Sequence, residues 1–225
     1  MKAILFDFGG TIDTGGVHWS EKFWEVYERF NIPVPKQDFE MAFVHADEEL
    51  MKEGISRATF HDILFKQISK QFLILKLNGD HGLLRTVTDA CYRDVWNVVN
   101  NAKKIFQELL PFYTLGVVSN FYGNLDVVCR EFGLEKFFRA MIDSAVVGIR
   151  KPDPGIFSLA LKQLGVSPHE SFVLGDSYER DVVPSKQLGC STIWLCGKSW
   201  NVPSNTEAAD YTIRRFEEVK MIVLG

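Results

Sequence analysis

Beyond residue 100 the chain alternates short apolar runs with amphipathic stretches, and this period governs what it can fold into. A helical stretch over 102–112 leads into the strand-like "YTLGVVSN" (113–120). Residues 124–133 lead into 137–147, which holds a further short strand, and 153–165 lead into "SFVLGD" (171–176). Residues 179–189 then lead into "STIWLC" (191–196), and "YTI" (211–213) with a helix over 215–222 ends the pattern. Strands that alternate with helices of this length form βαβ units, and their sheet is parallel. The opening run "KAILFDF" (2–8) suits a strand buried on both faces and belongs with them.

The residues between these parts follow another period. Stretches 18–32, 35–54, 56–77 and 80–99 carry apolar residues at helical spacing, with Gly54 and Gly79 where helices could end. From about 15 to about 95 no strand is predicted. The pattern therefore specifies an α/β core with an all-helical insertion after the first strand. Residues 201–210, "NVPSNTEAAD", read as a polar surface loop.

Composition limits the function classes. The 225 residues suffice for a core domain with a smaller inserted one. A net charge of −4 and no basic stripe exclude a nucleic-acid binder from consideration. No apolar run approaches the ~20 residues a membrane helix needs, so no membrane partner is expected. The N-terminal apolar run is too short for a signal peptide, which places the protein in the cytoplasm. Cys91, Cys129, Cys190 and Cys196 are scattered, with no CxxC pair, and read as ordinary thiols.

Open parallel sheets bind ligands at the carboxyl ends of their strands. There this sequence places Asp7, then Ser119 and Asn120, then Lys151 in "GIRKPDP", then Asp176 in "VLGDSYERD" with Asp181 five residues on. Singly, each suits a turn or a helix cap; together they put carboxylates, a hydroxyl and an ammonium on one rim. Two carboxylates about 4 Å apart repel by roughly 4 kcal/mol at an effective dielectric near 20. Asp7 and Asp176 therefore call for a cation, and hard oxygen ligands suit Mg²⁺. Lys151 could hold Asp7 ionised and bind a phosphate, with Ser119, Thr11 and the backbone donors of the Gly-rich turn taking further phosphate oxygens. An ionised Asp can serve as nucleophile in phosphoryl transfer.

These motifs resemble those of the haloacid dehalogenase superfamily: "ILFDFGGT" its first, "VVSN" its second, Lys151 in "IRKPDP" its third and "VLGDSYERD" its fourth. The resemblance implies a Rossmann-like core, residues 1–14 and 96–225, with a helical cap, residues 15–95, that closes over the site. It implies Mg²⁺-dependent hydrolysis of a small phosphorylated metabolite. Asp7 would be nucleophile and metal ligand, Asp176 a metal ligand and Asp181 its close support. Ser119 and Lys151 would hold the transferred phosphoryl group, with Thr11 and Asn120 beside them.

The sequence departs from the family at Gly9, where phosphatases of this kind carry a second Asp. Its backbone carbonyl still serves the metal. The proton shuttle is lost, a group typically worth 10²–10⁴-fold. Three readings follow. The substrate has a good leaving group, such as a sugar 1-phosphate, an acyl phosphate or an aryl phosphate. Alternatively Asp13, Glu179, His18 or His45 substitutes. Or the reaction differs: a dehalogenase-like route, which needs no metal; phosphonate cleavage through a Schiff base on Lys22, Lys52, Lys66 or Lys70; or phospho-ligand binding without turnover. The aromatic residues Trp19, Phe23, Trp24, Tyr27 and Phe30 have the spacing of cap packing; Trp19 lies closest to the first motif.

Overall fold

The computed structural model describes residues 2–77, 79–199, 203–204 and 206–225. Part of the 201–210 loop thus lies outside the described residues.

Strand β1 (Ala3–Phe6) is followed by a tight helical turn at Phe8–Ile12. Then come α1 (Trp19–Arg29), α2 (Lys36–Lys52), α3 (Phe60–Ile74) and α4 (His81–Leu109). The alternating part runs β2 (Thr114–Ser119), α5 (Leu125–Glu131), β3 (Phe138–Asp143), α6 (Ser144–Val147) and α7 (Gly155–Leu164). It continues with β4 (Ser171–Gly175), α8 (Val183–Gln187), β5 (Ser191–Leu195), β6 (Tyr211–Ile213) and α9 (Val219–Val223). No helix of the described residues is long and apolar enough to cross a membrane.

The strands form one parallel sheet in the order β3-β2-β1-β4-β5-β6. This is the α/β, Rossmann-like architecture expected. Every residue of β1 and β4 is buried, as a parallel sheet covered on both faces requires. Phe6 sits between Phe106 and Phe216, with ring centroids 5.1 and 5.8 Å away. The chain leaves β1 toward β2 on one side and later adds β4 on the other. Such a reversal opens a crevice at the carboxyl ends of the two strands, where Asp7 and Asp176 follow.

Among the described residues, the segment between β1 and β2 holds helices and loops and no strand. The sequence predicts a break between 80–99 and 102–112, but one helix, α4, runs unbroken through the join to Leu109. The stripe Val95, Val99, Ala102, Phe106, Leu109 is buried throughout, so apolar spacing continues across Asn100 and Asn101 and outweighs their weak helix preference. Helix α3 begins with a capping box, Thr59 with Asp62. Tyr27 packs on Phe39 and its hydroxyl donates to Gln71 at 2.9 Å, joining the first three helices of the insertion.

Candidate active site

Each strand end delivers one part of the site. Asp7 leaves β1 with extended backbone (φ −72°, ψ 159°) and is nearly fully buried. Lys151 Nζ lies 2.5 Å from Asp7 Oδ1 and 2.6 Å from Asp181 Oδ1. Ser119 Oγ is 3.5 Å from Asp7 Oδ1. Thr11 Oγ1 lies 3.1 Å from Asp7 Oδ2 and 3.2 Å from Asp176 Oδ1, so its one proton is shared between two carboxylates, and it accepts from Asp176 N at 3.0 Å. Asp181 Oδ2 accepts from Ser177 N at 3.1 Å.

The glycines here have separate reasons. At Gly10, with φ +91°, a Cβ would lie 2.4 Å from Asp176 Oδ2. At Gly175 it would overlap Asp181. Both residues let backbone approach a carboxylate. Gly9 differs: its φ is −76°, and a Cβ would meet nothing within 4 Å.

Oxygen atoms of Asp7, Asp176 and Asp181 all lie within 4.8 Å of one another. Three carboxylates thus gather around one ammonium, which bonds two of them, and their hard oxygen donors suit a divalent cation. Burial, with the charges of Asp7 and Asp181, raises the pKa of Asp176 well above the ordinary carboxylate value. Burial also pushes Asp181 up to about 6, against the pull of Lys151. At Lys151 burial favours the neutral amine, but Asp181 and Asp7 outweigh it and the pKa is raised.

Asn120 accepts from Lys151 N at 2.8 Å and donates to Lys151 O at 3.0 Å. Its side chain fixes the lysine backbone. Thr11, expected to offer substrate a donor, does not line the cavity described below; its hydroxyl is spent on Asp7 and Asp176.

A cavity of about 720 Å³ opens above Asp7, between these loops and α1–α3. Gly9, Asp176 and Asp181 line it with Ser119, Asn120 and Lys151. Of the substitutes for the missing acid, Asp13, His18 and Glu179 line it. His45 does not; it is exposed elsewhere on α2. Asp13 is fully buried, and both its oxygens are used: Gly10 N donates to Oδ1 at 2.7 Å and Trp19 Nε1 to Oδ2 at 2.8 Å. Burial nevertheless raises its pKa to about 7. Among the described residues no lysine except Lys151 lines the cavity. Lys22, Lys66 and Lys70 are held by Asp94, Glu53 and Glu49, and Lys52 is exposed at the end of α2 outside the cavity lining, so none of the four lysines presents its amine to the site.

Trp24, Tyr27 and Phe30 pack within the insertion as their spacing predicts. Phe23 packs in the same buried core and also lines the cavity beside Trp19. Sequence reasoning missed Arg150 and Arg180, which also line it. Their positions directly before Lys151 and Asp181 were the available signal. It missed Asp47 as well, whose Oδ1 accepts from Tyr122 Oη at 2.7 Å across the cavity wall; nothing in the sequence of α2 marks it.

The model of the haloacid dehalogenase-like hydrolases matches residues 1–189. Glyceraldehyde 3-phosphate phosphatase of Methanocaldococcus jannaschii is 32% identical over 91 residues, 40% of each chain, so the match spans less than half of that relative. Haloacid dehalogenase-like hydrolase domain-containing protein 3 of Mus musculus is 28% identical over 72% of this chain and 67% of its own. The magnesium-bound putative HAD-hydrolase YfnB of Bacillus subtilis shares the fold, with a TM-score of 0.61 at 21% identity over 100% of this chain and 99% of its own. With the family model covering most of its length and the four motifs meeting at one sheet edge, this chain belongs to the haloacid dehalogenase-like hydrolases.

Proposed function

We propose that the protein is a Mg²⁺-dependent phosphatase that acts on a small phosphorylated metabolite of the cytoplasm through an aspartyl-phosphate on Asp7. One observation carries this reading: a buried carboxylate, the nucleophile, faces the cavity with an ammonium on one oxygen and two further carboxylates within 4.8 Å. That carboxylate trio suits a divalent cation, and a metal-free dehalogenase has no use for it. Asp7, Asp176 and the Gly9 carbonyl would hold the cation, with Asp181 supporting it. Bound there, the cation would neutralise charge on the phosphoryl oxygens.

The residues of the chain do the rest. Lys151, bonded to Asp7 and Asp181, keeps Asp7 oriented and supplies positive charge where the phosphoryl group sits. The Ser119 hydroxyl offers a donor to a phosphoryl oxygen. Asn120 fixes the backbone that carries Lys151. Residues 1–14 and 96–225 serve as the catalytic core. Residues 15–95 serve as a cap that shields the aspartyl-phosphate from bulk water and shapes the leaving-group pocket.

The test is phosphate release from a panel of phosphorylated metabolites, with and without Mg²⁺, by wild type and Asp7→Asn. Release that needs both Mg²⁺ and Asp7 supports the reading. Tight Mg²⁺-dependent binding with no release from any compound would instead make the protein a phospho-ligand binding module.

A further inference from the structure

We infer that the cavity takes phosphate esters with an aromatic leaving group, and that the glycine at position 9 is matched to that class; this rests on the phosphatase reading above.

One part of the cavity lining is a run of rings, beside the polar Asp47, Gln67, Arg150 and Arg180. Phe60 lies 5.8 Å from Trp19 between centroids, Trp19 lies 5.0 Å from Phe23, and Phe23 lies 6.0 Å from Phe43. All four line the cavity, with Ile63 and Leu64 beside them. They come from α1, α2 and the start of α3, so three separate segments contribute to one apolar face. Trp19 also ties this face to the catalytic turn. Its indole N–H donates to Asp13 Oδ2 at 2.8 Å, and Asp13 Oδ1 accepts from Gly10 N at 2.7 Å. The rings are therefore anchored one residue from Gly9 and three from Asp7. A flat apolar body next to the phosphate is what such a face binds, since ring pairs gain affinity beyond their buried area.

The second observation is independent of the first. At Gly9 the space for a side chain is open, with nothing within 4 Å of a Cβ, and the residue contributes no acid. Asp13 is committed to Gly10 and Trp19 on both oxygens, and Asp47 is bonded to Tyr122. His18 is bonded through Nδ1 to Ser20 Oγ at 2.6 Å, with burial lowering its pKa, and Glu179 is exposed to solvent, so in this reading the leaving oxygen departs unprotonated. An Asp7 oxygen forms a bond to phosphorus while the phosphorus–oxygen bond to the aryl group breaks. The electron pair stays on the aryl oxygen, which leaves as a phenolate, stabilised by its ring, and later takes a proton from solvent. Water then adds to phosphorus, its proton passes to solvent, and the phosphorus–Asp7 bond breaks to release phosphate. An alkoxide leaves far less readily by this route. Of the good leaving groups that suit a site without the second Asp, the aryl class is the one the ring wall selects.

The experiment compares kcat/KM, which reports phosphoryl transfer to Asp7, for phenyl phosphate, cyclohexyl phosphate and glycerol phosphate with Mg²⁺ present. Ring-substituted phenyl phosphates of graded phenol acidity complete the series. Phenyl and cyclohexyl phosphate are alike in size and apolar, so their ratio reports the leaving oxygen with at most about tenfold from ring stacking; cyclohexyl against glycerol phosphate isolates the apolar face. In wild type, phenyl should exceed cyclohexyl phosphate by at least about 100-fold, the contribution of a missing acid. Rates should climb with phenol acidity, and glycerol phosphate should be the poorest of the three. In Gly9→Asp, cyclohexyl phosphate should gain about 100-fold or more and the dependence on phenol acidity should flatten. Phenyl and cyclohexyl phosphate within threefold of each other in wild type would overturn the inference, as would an unchanged ratio in Gly9→Asp or a preference for glycerol phosphate. Release from no ester by either protein would overturn the phosphatase reading itself, and the inference with it.

Discussion

Mg²⁺ should stabilise the protein strongly at pH 7.5 and weakly at pH 4.5. The reason is the charge balance of the trio formed by Asp7, Asp176 and Asp181. At 4.8 Å, the outer limit of their separation, two unit charges repel by roughly 3.5 kcal/mol at an effective dielectric near 20. Lys151 offsets this for Asp7 and Asp181, while Asp176 has no ammonium of its own. The fold therefore favours protons on the cluster: Asp176 is raised well above 3.8 and Asp181 to about 6. A carboxyl raised in the native state contributes stability that is complete below its unfolded value and is lost as pH rises through the folded one. Without metal, stability should thus decline from about pH 4 upward through pH 6. Mg²⁺ binds the ionised cluster, so it competes with protons at pH 4.5 and meets little competition at pH 7.5. At 100 times its Kd a ligand adds about 2.7 kcal/mol, which for a chain of this size is about 5–10 °C in Tm. Thermal melting in EDTA and in MgCl₂, at matched ionic strength and both pH values, checks this. Asp176→Asn should abolish most of the gain. Equal shifts at the two pH values, or a full shift in Asp176→Asn, would refute the reasoning.

Lys151→Met leaves two buried carboxylates without their cation and should cost about 3–5 kcal/mol. Urea titrations should find the loss larger at pH 8 than at pH 5, where the carboxylates take up protons instead. Gly10→Ala places a methyl group against Asp176 at φ +91°. It should lower turnover at least about tenfold while unfolding free energy falls by only about 1–2 kcal/mol, whereas Gly9→Ala should leave stability nearly unchanged. Asp13→Asn turns one acceptor into a donor that faces the Trp19 or Gly10 N–H, at a cost of about 1–3 kcal/mol and a shifted tryptophan emission. Asp13 is raised to about 7, so its neutral form stabilises the fold below pH 3.8 and that contribution is lost as pH rises through 7. Denaturation curves at pH 5 and 8 should converge in the variant, and an unchanged pH slope would count against this role.

The strand ends were legible because a parallel sheet imposes them. A short apolar run that stops on Asp7, Ser119 or Asp176 puts that residue on the same edge, wherever the run lies in the chain. The glycine at position 9 was legible for the same reason, since the motif fixes what its neighbours do. At the join between Val99 and Ala102, where the sequence reads as two stretches, the buried stripe through Phe106 holds one helix together across two weak helix formers.

The sequence alone determined the α/β architecture, the place of the helical insertion and which side chains gather at the sheet edge, because periodicity and strand ends are local properties. Only the tertiary structure decided how those side chains are used. Asn120 turns to the Lys151 backbone and Thr11 to two carboxylates, while Asp13 is buried between the turn after β1 and Trp19. The aromatic residues pack in one core, and of them Trp19 and Phe23 also line the cavity while Trp24 and Tyr27 do not. Helical spacing tells which residues share a stripe. What that stripe meets depends on segments far away in the chain, and no local pattern records them.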